Sequence, residues 1–209
     1  MKKLAVLGAS GHGKVVADCA ELCGWESVVF FDDAWPGRQE NGHWPVIGNT
    51  ESLLSSLADY DGVVVAIGHC RTRQNKLTQL REAGAPIPTL IHPNAVISRY
   101  ATLGAGSVVF AGVVVNVDAR IGEGCILNTG CTIDHDCLLG DAVHVSPGAN
   151  LAGGSTVGDR SWVGIGSAVR QYLHIGSDVM VGVGAAVVKD IPDGLTVVGV
   201  PAVELTKKV

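Results

Sequence analysis

The sequence predicts a chain in two parts: a small α/β domain with a parallel, Rossmann-like sheet over residues 1–85, then a coil of short parallel strands over 86–192. A tail, 193–209, follows. Three observations predict this. The first 85 residues alternate apolar strand-like runs with helical stretches. From Ile91 to Val187 an aliphatic residue recurs at every sixth position. Hydrophobic residues make up 47% of the chain but aromatics only 5%, with 28 glycines, so the interior is built from small and branched aliphatics, as a thin repetitive core requires.

In order along the first domain, Leu4–Leu7 reads as a short apolar strand, Gly8–Gly13 as a turn, and Lys14–Cys23 as a helix with Val15, Val16, Cys19, Ala20 and Cys23 near one face. Ser27–Phe31 is a second strand. Thr50–Leu57 is a short helix for which Thr50 is the expected N-cap. Gly62–Ile67 is a third strand and Arg73–Ala83 a third helix. Strands separated by helices imply βαβ units, whose ligands gather at the carboxyl ends of the strands.

The second part is defined by its period. Stepping by six from Ile91 gives Ile97, Leu103, Val109, Val115, Ile121, Leu127, Ile133, Leu139, Val145, Leu151, Val157, Val163, Val169, Ile175, Val181 and Val187, all aliphatic. Chance would produce such a register with a probability on the order of 10⁻⁹. The position four after each lead is mostly small, as at Ala101, Ser107, Cys125, Cys131 and Cys137. One branched and one small inward residue per six builds a flat strand and a corner, and three such units close a triangle. Residues 18 apart should therefore stack, Leu127 between Val109 and Val145.

Composition also excludes. With 15 basic against 20 acidic residues and a net charge of -5, the chain has no electrostatic footprint for a nucleic-acid backbone. No uninterrupted apolar stretch is long enough to span a bilayer, and Met1–Val6 runs into a strand without the apolar run of a secretory leader. A cytoplasmic protein with no membrane insertion is expected. The six cysteines form no C-x-x-C pair, so buried reduced thiols are expected and no metal.

Two segments carry candidate chemistry. In Ile133-Asp134-His135-Asp136, counting from the inward Ile133 puts His135 and Asp136 on a corner, projecting outward. An exposed imidazole beside a carboxylate is a general-base candidate, because the carboxylate fixes the tautomer and stabilises the imidazolium. Eighteen residues on, Gly153-Gly154 should leave a notch for a thin substituent. A merely solvated corner is the competing reading. The second segment is Gly8-Ala9-Ser10-Gly11-His12-Gly13, a glycine-rich strand-to-helix turn of the kind that receives phosphate. Taken alone it suggests a dinucleotide-binding enzyme.

Together with Asn128-Thr129-Gly130, His144-Val145-Ser146-Pro147-Gly148-Ala149 and Leu151-Ala152-Gly153-Gly154, the Asp134–Cys137 run resembles the active-site segment of the bacterial nucleotide-aminosugar N-acetyltransferases and sialic-acid O-acetyltransferase-like proteins. The first domain fits as well, through the glycine turn, the acidic pair Asp32-Asp33, and Ala66-Ile67-Gly68 with Arg73 following. The resemblance spans Leu4 to Ala202. It implies a left-handed parallel β-helix of hexapeptide repeats, a hand that periodicity alone leaves open. It also implies a homotrimer that uses acetyl-CoA and no metal in surface-glycan biosynthesis.

By that resemblance His135 is the base and Asp136 its orienting acid. His144, Gly153, Ile165, Gly182, Lys189 and Pro201 border acetyl-CoA, while Gly11, His12, Gly13, Asp32, Asp33, Gly68 and Arg73 hold the acceptor. The acceptor implied is a nucleotide-linked 4-amino-4,6-dideoxy sugar, UDP-linked in the first instance. An O-acetyltransferase of sialic-acid type stands as the alternative, and a non-catalytic or metal-binding β-helix stands behind both. His43, His92 and His174 are read as structural.

Overall fold

The structure, a computed structural model, describes residues 2–206. Met1 of the first domain and residues 207–209 of the expected tail lie outside the described residues. The chain divides into two compact units, Met1–Pro93 and Asn94–Val209.

The first unit contains β1 (Lys3–Leu7), α1 (Gly11–Leu22), β2 (Ser27–Phe31), β3 (Glu40–Asn41), β4 (Trp44–Gly48), α2 (Thr50–Ser55), β5 (Gly62–Val65) and α3 (Cys70–Glu82). The sheet runs β3-β4-β2-β1-β5, parallel except for the β3–β4 pair. Ala5, Leu7, Val63 and Val65 form one core with Leu53 of α2 and Leu77 and Leu80 of α3. Leu4, Val6 and Val64 alternate to the other side and are fully buried, as a strand covered on both faces requires.

Several boundaries differ from the sequence reading. The glycine turn is shorter than expected, because α1 begins at Gly11 and takes Gly11, His12 and Gly13 into its first turn. The buried stripe of α1 is Gly13, Val16, Ala17, Cys19 and Ala20, which bears out Val16, Cys19 and Ala20 and leaves Val15 exposed. Helix α2 is capped by Asn49, whose side chain accepts from the Ser52 N–H while the Ser52 hydroxyl accepts from the Asn49 N–H, so Thr50 lies inside the helix. Helix α3 starts three residues early because the His69 imidazole accepts from the Thr72 N–H and caps it. Strand β4 was not expected; Pro45 breaks its pattern but lies on the side facing the edge strand β3.

In the second unit, among the described residues, two-residue strands recur from Val96–Ile97 to Ala186–Val187 and pair in parallel at a spacing of 18. They form three sheets. One carries Val114–Val115, Thr132–Ile133 and Asn150–Leu151, a second Arg120–Ile121, Leu138–Leu139 and Thr156–Val157, and a third Ile126–Leu127, His144–Val145 and Trp162–Val163. Leu127 pairs with Val109 and Val145, as the period predicted. The lead aliphatics from Val109 to Val187 share one core, so truncating Leu127 to Ala is expected to cost about 2–5 kcal/mol.

The small inward positions include Cys125, Cys131 and Cys137, all fully buried, alanines such as Ala119 and Ala149, and serines whose hydroxyls bond to the coil. Ser161, for example, donates to the Gly176 carbonyl and accepts from the Val179 N–H. Beyond 192 the chain leaves the 18-residue register, as expected, but adds one more strand to the coil. Thr196–Val198 pairs in parallel with Met180–Val181, a spacing of 16, and Val203–Glu204 then pairs back antiparallel.

Candidate active site

His135 and Asp136 sit on the corner between the first and second sheets. Asp136 adopts a left-handed backbone conformation (φ 58°) that an Asp tolerates, and this turns its carboxylate back onto its neighbour. His135 Nδ1 lies 2.8 Å from Asp136 Oδ2, with the imidazole about half exposed. Asp134 completes the corner, since its Oδ1 accepts from both the His135 N–H and the Asn116 carboxamide. The bond to Asp136, reinforced by the charge of Asp134, raises the imidazole pKa above its ordinary value. Since Nδ1 is engaged, Nε2 is the nitrogen left to take a proton.

The notch expected at Gly153 is present beside His135. The His135 ring itself fills it, and a Cβ on residue 153 would stand 2.4 Å from Nε2. Gly153 therefore admits the imidazole, which a side chain at 153 would displace.

His144 projects from the third sheet, 6% exposed. Its ring packs on Trp162, with centroids 4.2 Å apart, and its Nε2 lies 3.2 Å from the Asn128 carboxamide nitrogen. The third sheet is the face opposite the corner that carries His135, so the prism core separates the two histidines within one chain.

In the first unit a cavity of about 280 Å³ opens at the carboxyl ends of β1, β2 and β5, lined by Gly8, Ser10, Asp32, Asp33, Gly68, Thr72 and Lys76 among others. Gly8 has φ 112°, and a Cβ there would meet the Ala66 carbonyl at 2.8 Å, so this turn admits only glycine. The first turn of α1 has no side-chain cap and no acidic residue, which favours an anion. Asp32 braces the turn, accepting from the Ala9 and Ala34 N–H groups. Burial pushes the Asp33 carboxyl up, but bonds from Thr50 and from Lys76, 3.0 Å away, prevail and hold it at about 2.

Residues 3–80 match the family model described as the PglD N-terminal domain. The acetyltransferase domain of PglB from Neisseria gonorrhoeae FA1090, solved with acetyl coenzyme A, superposes with a TM-score of 0.94 at 44% identity, covering 98% of this chain and 99% of that one. PerB from Caulobacter crescentus, solved with CoA and GDP-perosamine, gives 0.93 at 38% identity, covering 99% and 98%. This chain belongs to the bacterial nucleotide-aminosugar N-acetyltransferase family. It has the family's fold, an α/β domain followed by a left-handed β-helix. The UDP-N-acetylbacillosamine N-acetyltransferase of Bacillus subtilis (strain 168) is 35% identical over 115 residues, 53% of this chain and 52% of the relative; the match spans about half the length of that curated protein.

Among the residues expected to serve this family's chemistry, Asp32, Asp33 and Gly68 come together at the cavity, while Gly11 stands in open space at the start of α1. Gly13 packs against the Gly8 carbonyl behind the turn. Arg73 is 1% exposed and donates to the carbonyls of Ile67 and Gly68, so it shapes the cavity wall from behind. Burial, with Arg73 nearby, lowers the His12 pKa to about 4, leaving it neutral near pH 7.

On the β-helix, Ile165 is exposed, Gly182 lies under Val198, and Lys189 lines a separate cavity of about 270 Å³ with Pro192 and Ala202. Pro201 follows a cis peptide bond and is exposed. Sequence reasoning missed Thr72 and Lys76, which are one turn apart on α3; the polar i, i+4 pair facing the strand ends was the available signal. It also missed Asn116, which the 18-residue stacking rule places beside Asp134; the same rule did stack His144 between Ile126 and Trp162.

Among the described residues, no group of three His, Cys, Asp or Glu is arranged to hold a metal ion, and no helix is long and apolar enough to cross a membrane.

Proposed function

We propose that the protein is an acetyl-CoA-dependent N-acetyltransferase acting on the amino group of a nucleotide-linked 4-amino-4,6-dideoxy sugar, UDP-linked in the first instance, in surface-glycan biosynthesis. The observation that carries this reading is the 2.8 Å His135–Asp136 pair, exposed on a corner with Nε2 left as the proton acceptor. The family's relatives with known ligands support the substrate class, namely CoA and GDP-perosamine for PerB and acetyl coenzyme A for the PglB domain.

Acetyl-CoA supplies the activated thioester carbonyl. His135 Nε2 removes a proton from the sugar amine as the C–N bond forms, and returns it to the departing CoA sulfur as the C–S bond breaks. Asp136 holds the ring and stabilises the imidazolium. His144 contacts the acetyl donor, with Ile165, Gly182, Lys189 and Pro201 along the CoA path. The cavity at Asp33, Gly68 and Lys76, beside the uncapped start of α1, receives the nucleotide and its phosphates.

A homotrimer completes this site. His135 and His144 occupy opposite sides of one prism, so they can converge on one substrate only if a neighbouring copy supplies the second wall. Light scattering should give three times the 21.6 kDa chain mass; a monomer at assay concentration would count against the shared site. The direct test of function is thiol release from acetyl-CoA across UDP-, GDP- and dTDP-linked 4-amino sugars, with sialic acids alongside. Turnover of an amino sugar supports the proposal, and turnover of sialic acids alone overturns it.

A further inference from the structure

We infer that Asn128 and Trp162 are positioning residues that hold His144 as the neutral Nδ1–H tautomer, its Nε2 lone pair committed to Asn128 and so withheld from acting as a second base. This rests on the reading of His144 as a contact to the acetyl donor.

The hydrogen bonds set the proton's place one step at a time. Asn128 Oδ1 accepts from the Thr129 backbone N–H at 2.9 Å and lies 3.4 Å from the Thr129 hydroxyl. A backbone N–H can only donate, so the carboxamide cannot flip without setting donor against donor. Its nitrogen is therefore the atom facing His144 Nε2 at 3.2 Å. An NH₂ group has no acceptor to offer, so Nε2 must supply the lone pair, and the ring proton resides on Nδ1. Protonating Nε2 would abolish the bond and oppose two donors in a largely buried site.

Trp162 fixes the plane of the ring. Its indole packs on the imidazole at 4.2 Å between centroids, tilted by 40°, while its Nε1–H donates to Ser146 Oγ at 2.7 Å. Ser146 is 1% exposed, so the indole is anchored to a side chain that is itself immobilised. On the other side, Ile126 is fully buried and pairs directly with His144. The two histidines are thus prepared for opposite roles. His135 is exposed and paired with carboxylates that favour taking a proton, whereas His144 is enclosed and bonded so as to keep one.

The experiment is ¹⁵N-histidine NMR on the full chain near pH 7, with His144→Gln used to assign the signal and Asn128→Asp as the perturbing variant. The expected result is a neutral Nδ1–H pattern for His144 that Asn128→Asp abolishes, because a carboxylate only accepts and draws a proton to Nε2. In turnover, Asn128→Asp should lower kcat by about 10²-fold, because the neighbouring ring is held in the wrong tautomer, with the acceptor KM little changed. Trp162→Phe keeps a ring on His144 and should retain kcat within about threefold, while Trp162→Ala should lose about tenfold or more.

A wild-type His144 protonated on Nε2, or cationic, overturns the inference, as does an Asn128→Asp variant with the NMR pattern and kcat unchanged. Because the NMR readout needs no turnover, an acceptor panel without thiol release would defeat the proposed function while leaving the tautomer decided.

Discussion

The imidazole of His135 lies against the backbone of Gly153, eighteen residues further along the chain, so closely that a Cβ at 153 would stand 2.4 Å from Nε2. Gly153→Ala should therefore tilt the ring off Asp136 without unfolding the coil. The expected outcome is a loss of about 10²-fold in kcat with a nearly unchanged melting temperature, measured by steady-state assay and thermal denaturation. Full activity in this variant would mean that the ring moves during turnover.

The pH dependence has a definite sign. Asp136, then Asp134, raise the His135 pKa above the ordinary 6.5, and a base must be neutral to act. The rate should climb with pH through a midpoint above 6.5. Asp136→Asn should move that midpoint down and lower the plateau, and Asp134→Asn, which keeps a hydrogen-bond acceptor for the His135 N–H, should move the midpoint with a smaller loss of plateau. His135→Ala should lose about 10² to 10⁴-fold in kcat while still binding acetyl-CoA.

Cysteine chemistry is expected to be absent from the mechanism. Cys137 is fully buried, its Sγ is 3.4 Å from the Ala152 carbonyl, and burial raises its pKa. Burial drives neighbouring Cys131 up to about 12. Cys137→Ala should keep its activity, and mass spectrometry during turnover should find no acetylated cysteine.

At the first domain, Gly11→Val places a branched side chain in the open space at the start of α1. The acceptor KM should rise about tenfold or more while that for acetyl-CoA stays within about twofold. Equal effects on both would detach the acceptor from this turn.

His12 gives that domain an acid sensitivity. Its folded pKa of about 4 lies below the ordinary 6.5, so between these values the unfolded chain binds the extra proton and stability falls as pH drops. His12→Asn should show a shallower loss of melting temperature between pH 6.5 and 4. An identical slope in both proteins would remove His12 from the account.

The sequence by itself determined the repeat and everything that follows from its period. Because a prism of three sheets returns to the same face every 18 residues, counting alone stacked Leu127 between Val109 and Val145, turned Cys137 inward and put His135 and Asp136 on a corner. Side-chain direction in a strand is a matter of parity, and parity is written in the residues. The tertiary structure decided what parity cannot reach. It gave the Gly153 notch to the His135 ring, placed Arg73 behind the 67–68 backbone, and brought Lys76 to Asp33 from 43 residues away. Each of these depends on which side chain fills a space first or on which distant groups satisfy a buried charge, and such competitions are settled only when the whole chain is packed.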